Sequence, residues 1–465
     1  MREHGGVPAL AALLLALPFA AQGELRTLSP EEMRADLFLL GDTLASQHAG
    51  LHRYTDADAL DELLGRELEE VGELPRDVLW FYRRVCEVLS AIHCGHTRAQ
   101  LPQADLVAAA ARRGLLPLEL HWSGTRAWIV RVLDDGVALR PGAELASIDG
   151  LTPAEIRARA FARLSGDGAI ESGKERELAW SFPELYSQLV SEAEGPYRVA
   201  VAGLATPLAV TGLAPAVFDA RRAQLPRRPP VHFELGDDGV GVLTVATFAD
   251  PGGGEPGFLA ALESAFRSLR EHGAKHLVLD LRGNGGGRDM YGAALVSYLA
   301  SKPFGYFERI EVTPDYQPGG AFQLEERDGR RLMLSHPGLA VQEPAELHFS
   351  GDVQILIDGW TFSTAADVAT VAHHLHLATF LGEETGGGYD GNTSGDGMML
   401  ALPNSHVSVH VPKWMYTTAN LGHAHSGRGV PPDVPLVPSI EDVLAGRDVV
   451  LAKALERARA RPDAR

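Results

Sequence analysis

Hydrophobic positions recur at three- and four-residue spacing through residues 31–90, with Leu37, Leu40, Leu44 and Leu51 in one series and Leu79, Tyr82, Val85 and Leu89 in another. That period lines one face of a helix, so an N-terminal helical region running to about residue 112 is predicted. The pattern then becomes strand-like at 116–122 and 128–133. A turn, a short strand and an Asp149-Gly150 reversal lead to a helix opening at Thr152-Pro153. A polar helical stretch runs to about 194, and strands return at 197–202 and 207–213. Residues 221–230, with three prolines and four arginines, read as a linker. From 231 onward strands alternate with helices: a strand at 240–245, a helix at 258–272 and an apolar strand at 276–281. Beyond them come a strand at 353–357, a helix at 365–374, a strand at 377–381 and a final helix near 440–460. Such alternation predicts an α/β unit with a layered sheet.

The first residues add a different feature. Residues 1–6 carry Arg2, residues 7–20 are an apolar run, and Ala21-Gln22-Gly23 supplies small residues before Glu24. This order reads as a secretory signal peptide over residues 1–23, which makes the protein exported, periplasmic or extracellular. The run is shorter than the ~20 residues of a comfortable span. A buried N-terminal helix or a retained anchor are the other readings. No second segment is long and apolar enough to span a membrane. At 465 residues two or three domains are expected. The formal charge of −19 argues against binding nucleic acid or anionic membranes. The two cysteines, Cys86 and Cys94, are either a pair or two buried thiols, and alone they cannot form a thiolate-rich zinc site.

Two segments carry candidate chemistry. Asp280-Leu281-Arg282-Gly283-Asn284-Gly285-Gly286-Gly287 follows a buried strand. Consecutive glycines there let the backbone take positive φ and offer N–H groups to an anion. Alone, the segment could be a tight turn; it lacks the Walker ending, since Arg288-Asp289 follows. Around Ser363, Asp358-Gly359-Trp360-Thr361-Phe362-Ser363-Thr364-Ala365 lies between a buried strand and a helix. A serine so placed sits at a helix N-terminus, either as an N-cap or as a nucleophile whose developing charge the helix favours.

Together the two segments resemble the paired signature of the C-terminal-processing and tricorn-core (tail-specific) serine peptidases, a "D-x-R-x-N-G-G-G" loop and a "T-x-S-x-(A/S)" turn. Val240-Gly241-Val242-Leu243 with Thr247-Phe248, Gly382-Glu383-Glu384-Thr385-Gly386, and Gly429-Val430-Pro431-Pro432-Asp433 extend the match. Gly142-Ala143-Glu144-Leu145 with Ile148-Asp149-Gly150 resembles the "G-x-x-L-x-x-I-(D/N)-G" segment of PDZ-like domains. The resemblance implies an α/β fold with a crotonase/ClpP-like ββα catalytic core over 231–455. It further implies an N-terminal helical domain at 24–112 and a PDZ-like domain with a helical insert at 113–220. Carried over to this chain, it makes Ser363 the nucleophile and the backbone N–H groups of Gly287 and Thr364 the oxyanion donors.

The base differs among relatives. Bacterial members place a lysine 25 residues after the serine, where this chain has Gly388, and none of its five lysines fits the motif. The tricorn-core branch uses a histidine in a "D-G-H-T" segment, which Ile92-His93-Cys94-Gly95-His96-Thr97 resembles. His96 is therefore the candidate base, with an ordinary pKa of about 6.5. Gly95 stands where that branch has a relay serine. The acid that would orient His96 is unassigned, with Glu383 and Glu384 the carboxylates close to the motif. His373, His374 and His376, or His423 and His425, invite a metal reading, but His373 and His376, which share a helix face, have no third ligand or carboxylate at matching spacing, so no metal or cofactor is expected. The expected function is endopeptidase action on unfolded or C-terminally exposed polypeptides. A non-catalytic peptide- or hydrophobic-ligand-binding protein and a crotonase-type acyl transferase are the alternatives.

Overall fold

The computed structural model describes residues 24–222, 229–251, 257–318, 320, 322–419 and 427–460. The expected signal segment, most of the 221–230 linker, and His423 and His425 lie outside these residues.

Helix α1 (Pro30–Gln47) starts at a capping box, in which Ser29 accepts from the Glu32 backbone and Glu32 from that of Ser29. Helices α2 (Ala57–Glu70), α3 (Val78–Ala91) and α4 (Gln103–Ala111) follow. Leu37, Leu40 and Leu44 on α1, and Leu79, Tyr82, Val85 and Leu89 on α3, are all buried, as their spacing predicts. Leu51 is also buried, but in a turn beyond α1.

The next region comprises the hairpin β1 (Leu118–Ser123) and β2 (Arg126–Val132), then β3 (Leu145–Ile148). After β3 come α5 (Pro153–Phe161), capped reciprocally by Thr152 and Glu155, and α6 (Ser172–Trp180). Strands β4 (Tyr197–Val201) and β5 (Leu208–Val210) complete a three-stranded antiparallel sheet with β3. Side chains of α1 and α3 share one apolar cluster with Trp122, Ile129, Ile148, Ile156 and Tyr197. The N-terminal helices and this region are thus consolidated by the same burial.

Beyond the linker come β6 (Val231–Leu235), β7 (Val240–Val245), α7 (Phe258–Glu271), β8 (His276–Asp280) and α8 (Asp289–Ser297). Strands β9 (Phe307–Val312), β10 (Leu324–Arg327) and β11 (Arg330–Met333) follow. The chain then enters β12 (Asp352–Ile357), α9 (Thr364–His374) and β13 (Thr379–Gly382). It ends in β14 (Thr393–Ala401), β15 (Ser408–Thr418), β16 (Val434–Pro435) and α10 (Val449–Ala460).

One six-stranded sheet has the order β16-β13-β12-β8-β7-β6, parallel except where β6 joins β7. Its central strands are buried because α7, α8 and α9 contribute to the core on one face and α10 covers the other. A second, antiparallel sheet, β10-β11-β9-β15-β14, breaks the strand–helix alternation expected after residue 231; Ala99–Gln100 adds to β15. That addition carries the segment just after His96 onto the core. The architecture is mixed α/β.

Candidate active site

Strands β8 and β12 are parallel neighbours, paired Asp280 to Leu356, so the loops leaving their C-terminal ends emerge side by side. Buried polar side chains then fix both loops. Thr361 Oγ1 donates to the Leu281 carbonyl at 3.1 Å and accepts from the Asp358 N–H at 3.0 Å. Asn284, fully buried, donates from Nδ2 to the Val245 carbonyl at 2.8 Å and accepts from the Gly286 N–H at 2.8 Å. The Phe362 N–H donates to the Asn284 carbonyl at 3.0 Å, tying the serine turn to the glycine loop.

Glycine is required at 286 and 287. Their φ angles are +101° and +144°, and a Cβ on Gly286 would lie 2.7 Å from the Ser363 Cβ. A Cβ on Gly287 would fall 2.3 Å from the Phe248 carbonyl oxygen. The loop therefore presses its backbone against the serine.

Ser363 itself has φ 54° and ψ −131°, a region that L-residues rarely occupy. Although it precedes α9, its side chain makes no capping bond. The strained backbone turns the hydroxyl towards His96, whose Nε2 is 3.2 Å from Ser363 Oγ. Thr364 Oγ1 donates to the Gly287 carbonyl at 2.9 Å and holds the two segments together. Among the described residues no hydrogen-bond partner engages the N–H of Gly287 or of Thr364. The structure thus brings Ser363, His96, Gly287 and Thr364 into one site.

His96 reaches this place from the N-terminal region. Its loop is held by the His410 Nδ1–H, which donates to the His96 carbonyl at 2.9 Å, and by Thr97, whose Oγ1 is 2.7 Å from His48 Nε2. Asp167 was not anticipated from the sequence. Its buried carboxylate accepts from the Gly95 N–H at 2.7 Å and from the Gly388 N–H at 3.3 Å. One side chain therefore fastens the histidine loop to the glycine segment packed on Ser363. Burial raises its pKa, opposed chiefly by the Gly95 hydrogen bond.

The His96 ring is partly exposed, but Nδ1 is shut off from solvent and has no hydrogen-bond partner among the described residues. Burial, then the charge of Arg98, pushes its pKa down to about 3, so the imidazole is neutral at ordinary pH. If Nε2 accepts the serine proton, the neutral ring carries its own on Nδ1. Glu383 and Glu384 do not serve that nitrogen. Glu383 binds Arg176 at 2.6 Å, and Glu384 binds Arg428 at 2.5 Å and the Gly429 N–H at 2.8 Å. At the position of the bacterial lysine, Gly388 packs against the Tyr54 hydroxyl, which a Cβ there would approach to 3.0 Å. Cys86 and Cys94 are buried and free. Among the described residues there is no cluster of three or more His, Cys, Asp or Glu that could hold a metal ion.

A partly exposed serine on a strained turn, a neutral imidazole beside it and two open N–H groups, one in the glycine loop and one at a helix start, are the groups that acyl transfer to serine requires. Fold and site together define a serine-type peptidase. The model for Peptidase family S41 matches residues 239–436, which hold both loops and the serine. Among solved structures, mature CPAF superposes with a TM-score of 0.63 at 14% identity, covering 92% of this chain and 96% of that one. Mature CPAF complexed with lactacystin gives 0.64 at 14% identity, covering 92% and 98%. A protein from Parabacteroides merdae gives 0.50 at 15% identity, covering 94% and 98%. These likenesses concern the fold. No curated protein sequence matches the chain.

Proposed function

We propose that the protein is an exported serine endopeptidase that cleaves unfolded or C-terminally exposed polypeptides through a Ser363–His96 acyl-enzyme mechanism. The observation that carries this reading is the 3.2 Å approach of His96 Nε2 to Ser363 Oγ, beside two N–H groups without partners. Ser363 Oγ attacks the scissile carbonyl while His96 accepts its proton. The developing oxyanion receives hydrogen bonds from the Gly287 and Thr364 N–H groups, an interaction worth roughly 3–4 kcal/mol per donor in such sites. His96 then protonates the leaving amine, and water enters to hydrolyse the ester with His96 as base.

In this reading residues 1–23 are a signal peptide and 24–112 a helical domain that supplies the base. Residues 113–220 form a PDZ-like domain with a helical insert, and 231–455 form a crotonase/ClpP-like core. The β3–β5 sheet with α5 beside it supports the PDZ-like assignment, and the parallel sheet flanked by α7–α9 supports the core. Among the described residues no helix is long and apolar enough to cross a membrane. The match to Peptidase family S41 supports polypeptide substrates.

A second reading, a non-catalytic binding protein on this scaffold, is favoured by one observation: no carboxylate meets His96 Nδ1 among the described residues. The deciding experiment is hydrolysis of an unfolded protein by the mature chain beside Ser363→Ala and His96→Ala. Loss of cleavage in both, with unchanged thermal stability, is expected. Cleavage that survives Ser363→Ala would refute the nucleophile, and survival in His96→Ala alone would refute the base. An inert parent protein would favour the binding reading.

A further inference from the structure

A cleft of about 320 Å³, sharing no residue with the candidate active site, lies where the start of α3 faces the segment after residue 186. Four arginines, Arg76, Arg83, Arg112 and Arg113, and two carboxylates, Asp77 and Glu192, line it, an excess of positive charge in a chain whose net charge is −19. Two of them are well matched. Arg113 pairs with Asp149 at 2.8 Å and stacks 3.7 Å from the Tyr197 ring centroid. Arg112 pairs with Glu194 at 2.5 Å.

The other two are not. Arg83 is buried, its side chain only 5% exposed, yet its close partners are neutral carbonyls: Gln188 at 2.8 Å from Nε and Ser191 at 2.5 Å from Nη2. The one carboxylate in ion-pair reach, Glu192, stands 3.6 Å from Nη1 on a side chain that is 73% exposed. Burial, then the charge of Arg163, pushes the Arg83 guanidinium down to about 10. That direction marks a buried cation short of counter-charge. At the rim, the exposed Arg76 lies 5.3 Å from the Trp80 ring centroid, and among the described residues no carboxylate pairs with it. Leu79 and Trp80 give the cleft an apolar wall.

We propose that this cleft binds a monocarboxylate borne on an apolar group, the carboxylate meeting Arg83 and Arg76 and the apolar part lying against Leu79 and Trp80. With Nε and Nη2 of Arg83 already on carbonyls, Arg83 offers Nη1, and the exposed Arg76 guanidinium can present two parallel N–H donors to the carboxylate oxygens. The volume suits a body of one or two residues or a short acyl chain, at the small end of ligand pockets. Such a ligand would bridge α3, which leads directly into the His96 loop, and the segment containing Ser187 and Ser191.

The test is calorimetry on the full chain carrying Ser363→Ala, so that no peptide turns over and the outcome is independent of the peptidase reading. The probes are acetyl-Ala-Leu with a free carboxylate, its carboxamide, and octanoate. Binding of either carboxylate, with the carboxamide at least about tenfold weaker, is expected. Saturation by the peptide acid alone identifies a peptide end as the source, and by octanoate alone an acyl carboxylate. Arg76→Ala, on the surface, is expected to weaken binding about tenfold; Arg83→Gln, checked for folding by circular dichroism, should abolish it. Equal binding of acid and carboxamide, or none of either acid up to about 10 mM, would overturn the proposal. So would affinity unchanged by Arg76→Ala.

Discussion

The ring of Phe362 lies against that of His96, with centroids 4.6 Å apart and planes 27° from parallel. The residue before Ser363 thus buttresses His96, and Phe362 also closes the space beside Gly95. A Cβ on Gly95 would meet Phe362 Cζ at 2.7 Å and Cε2 at 2.8 Å. The serine found at that position in the tricorn-core branch has no room here. The departure from the family pattern has a steric cause.

Replacing Gly95 by serine should therefore damage the site rather than restore a relay. Gly95→Ser must displace the Phe362 ring and with it His96, so kcat is expected to fall at least about tenfold with a smaller change in KM. In a Phe362→Leu background the same substitution should cost less, because the clash is relieved. An active Gly95→Ser enzyme with wild-type kcat would sink this account of the stack.

Asp167 is a positioning residue, bonded to the N–H before His96 and to that of Gly388. Asn at this site keeps the shape but can turn an NH₂ towards one of the donors, leaving one buried bond unmade at a cost of about 1–3 kcal/mol. Asp167→Asn is expected to lower kcat about tenfold and to lower Tm, while Asp167→Glu recovers neither, since the pocket is closed. Titrating kcat and KM separately checks the point: a change confined to KM would mean that Asp167 shapes substrate binding instead.

How much of this was readable beforehand follows from where the information lies. The serine turn and glycine loop are contiguous motifs, and His96 sits in a short one, so residue type and order sufficed to pick them out. The helices of residues 31–90 and the parallel strands carry strong local periodicity. By contrast, β14 and β15 were not anticipated, since Thr393–Ala401 holds two glycines and mostly exposed positions and lacks a clear apolar alternation. Asp167 was invisible for another reason. It is a lone carboxylate in the polar run Ser165-Gly166-Asp167-Gly168, and only the fold carries it to Gly95 and Gly388. The unmatched Nδ1 of His96 is likewise a property of packing, not of any motif.

The pH dependence of catalysis follows from that nitrogen. With burial and Arg98 holding His96 at about 3, the free protein keeps this imidazole unprotonated far below pH 6.5. The acid limb of kcat/KM, which reports groups of the free enzyme, is expected well below 6.5. The same depressed value makes the imidazolium intermediate costly, so kcat should be modest. If the acid limb instead centres near 6.5, a carboxylate or water meets Nδ1 in the working enzyme.

Stability should respond to pH through Asp367, four residues past Ser363 and buried in the first turns of α9. Its carboxyl accepts from Asn392 Nδ2 at 3.2 Å and Thr418 Oγ1 at 3.3 Å. Burial, then repulsion from Asp289, raises its pKa to about 8 from the ordinary 3.8. A folded-state pKa above the unfolded one means that the contribution to stability is complete below pH 3.8 and is lost as pH rises towards 8. The slope in that window is at most about 1.4 kcal/mol per pH unit. Asparagine mimics the protonated acid without titrating. The Tm difference between Asp367→Asn and the parent should become more positive from pH 5 to pH 8, by about 2 °C or more. The buried His48, held at about 4 by burial, acts in the opposite direction in both proteins: its contribution is present above 6.5 and lost as pH falls towards 4. It cancels from the comparison. A Tm difference that stays constant across this range would show that Asp367 is ionised in the folded protein, and the buried pair with Asp289 would then need a cation or water to carry it.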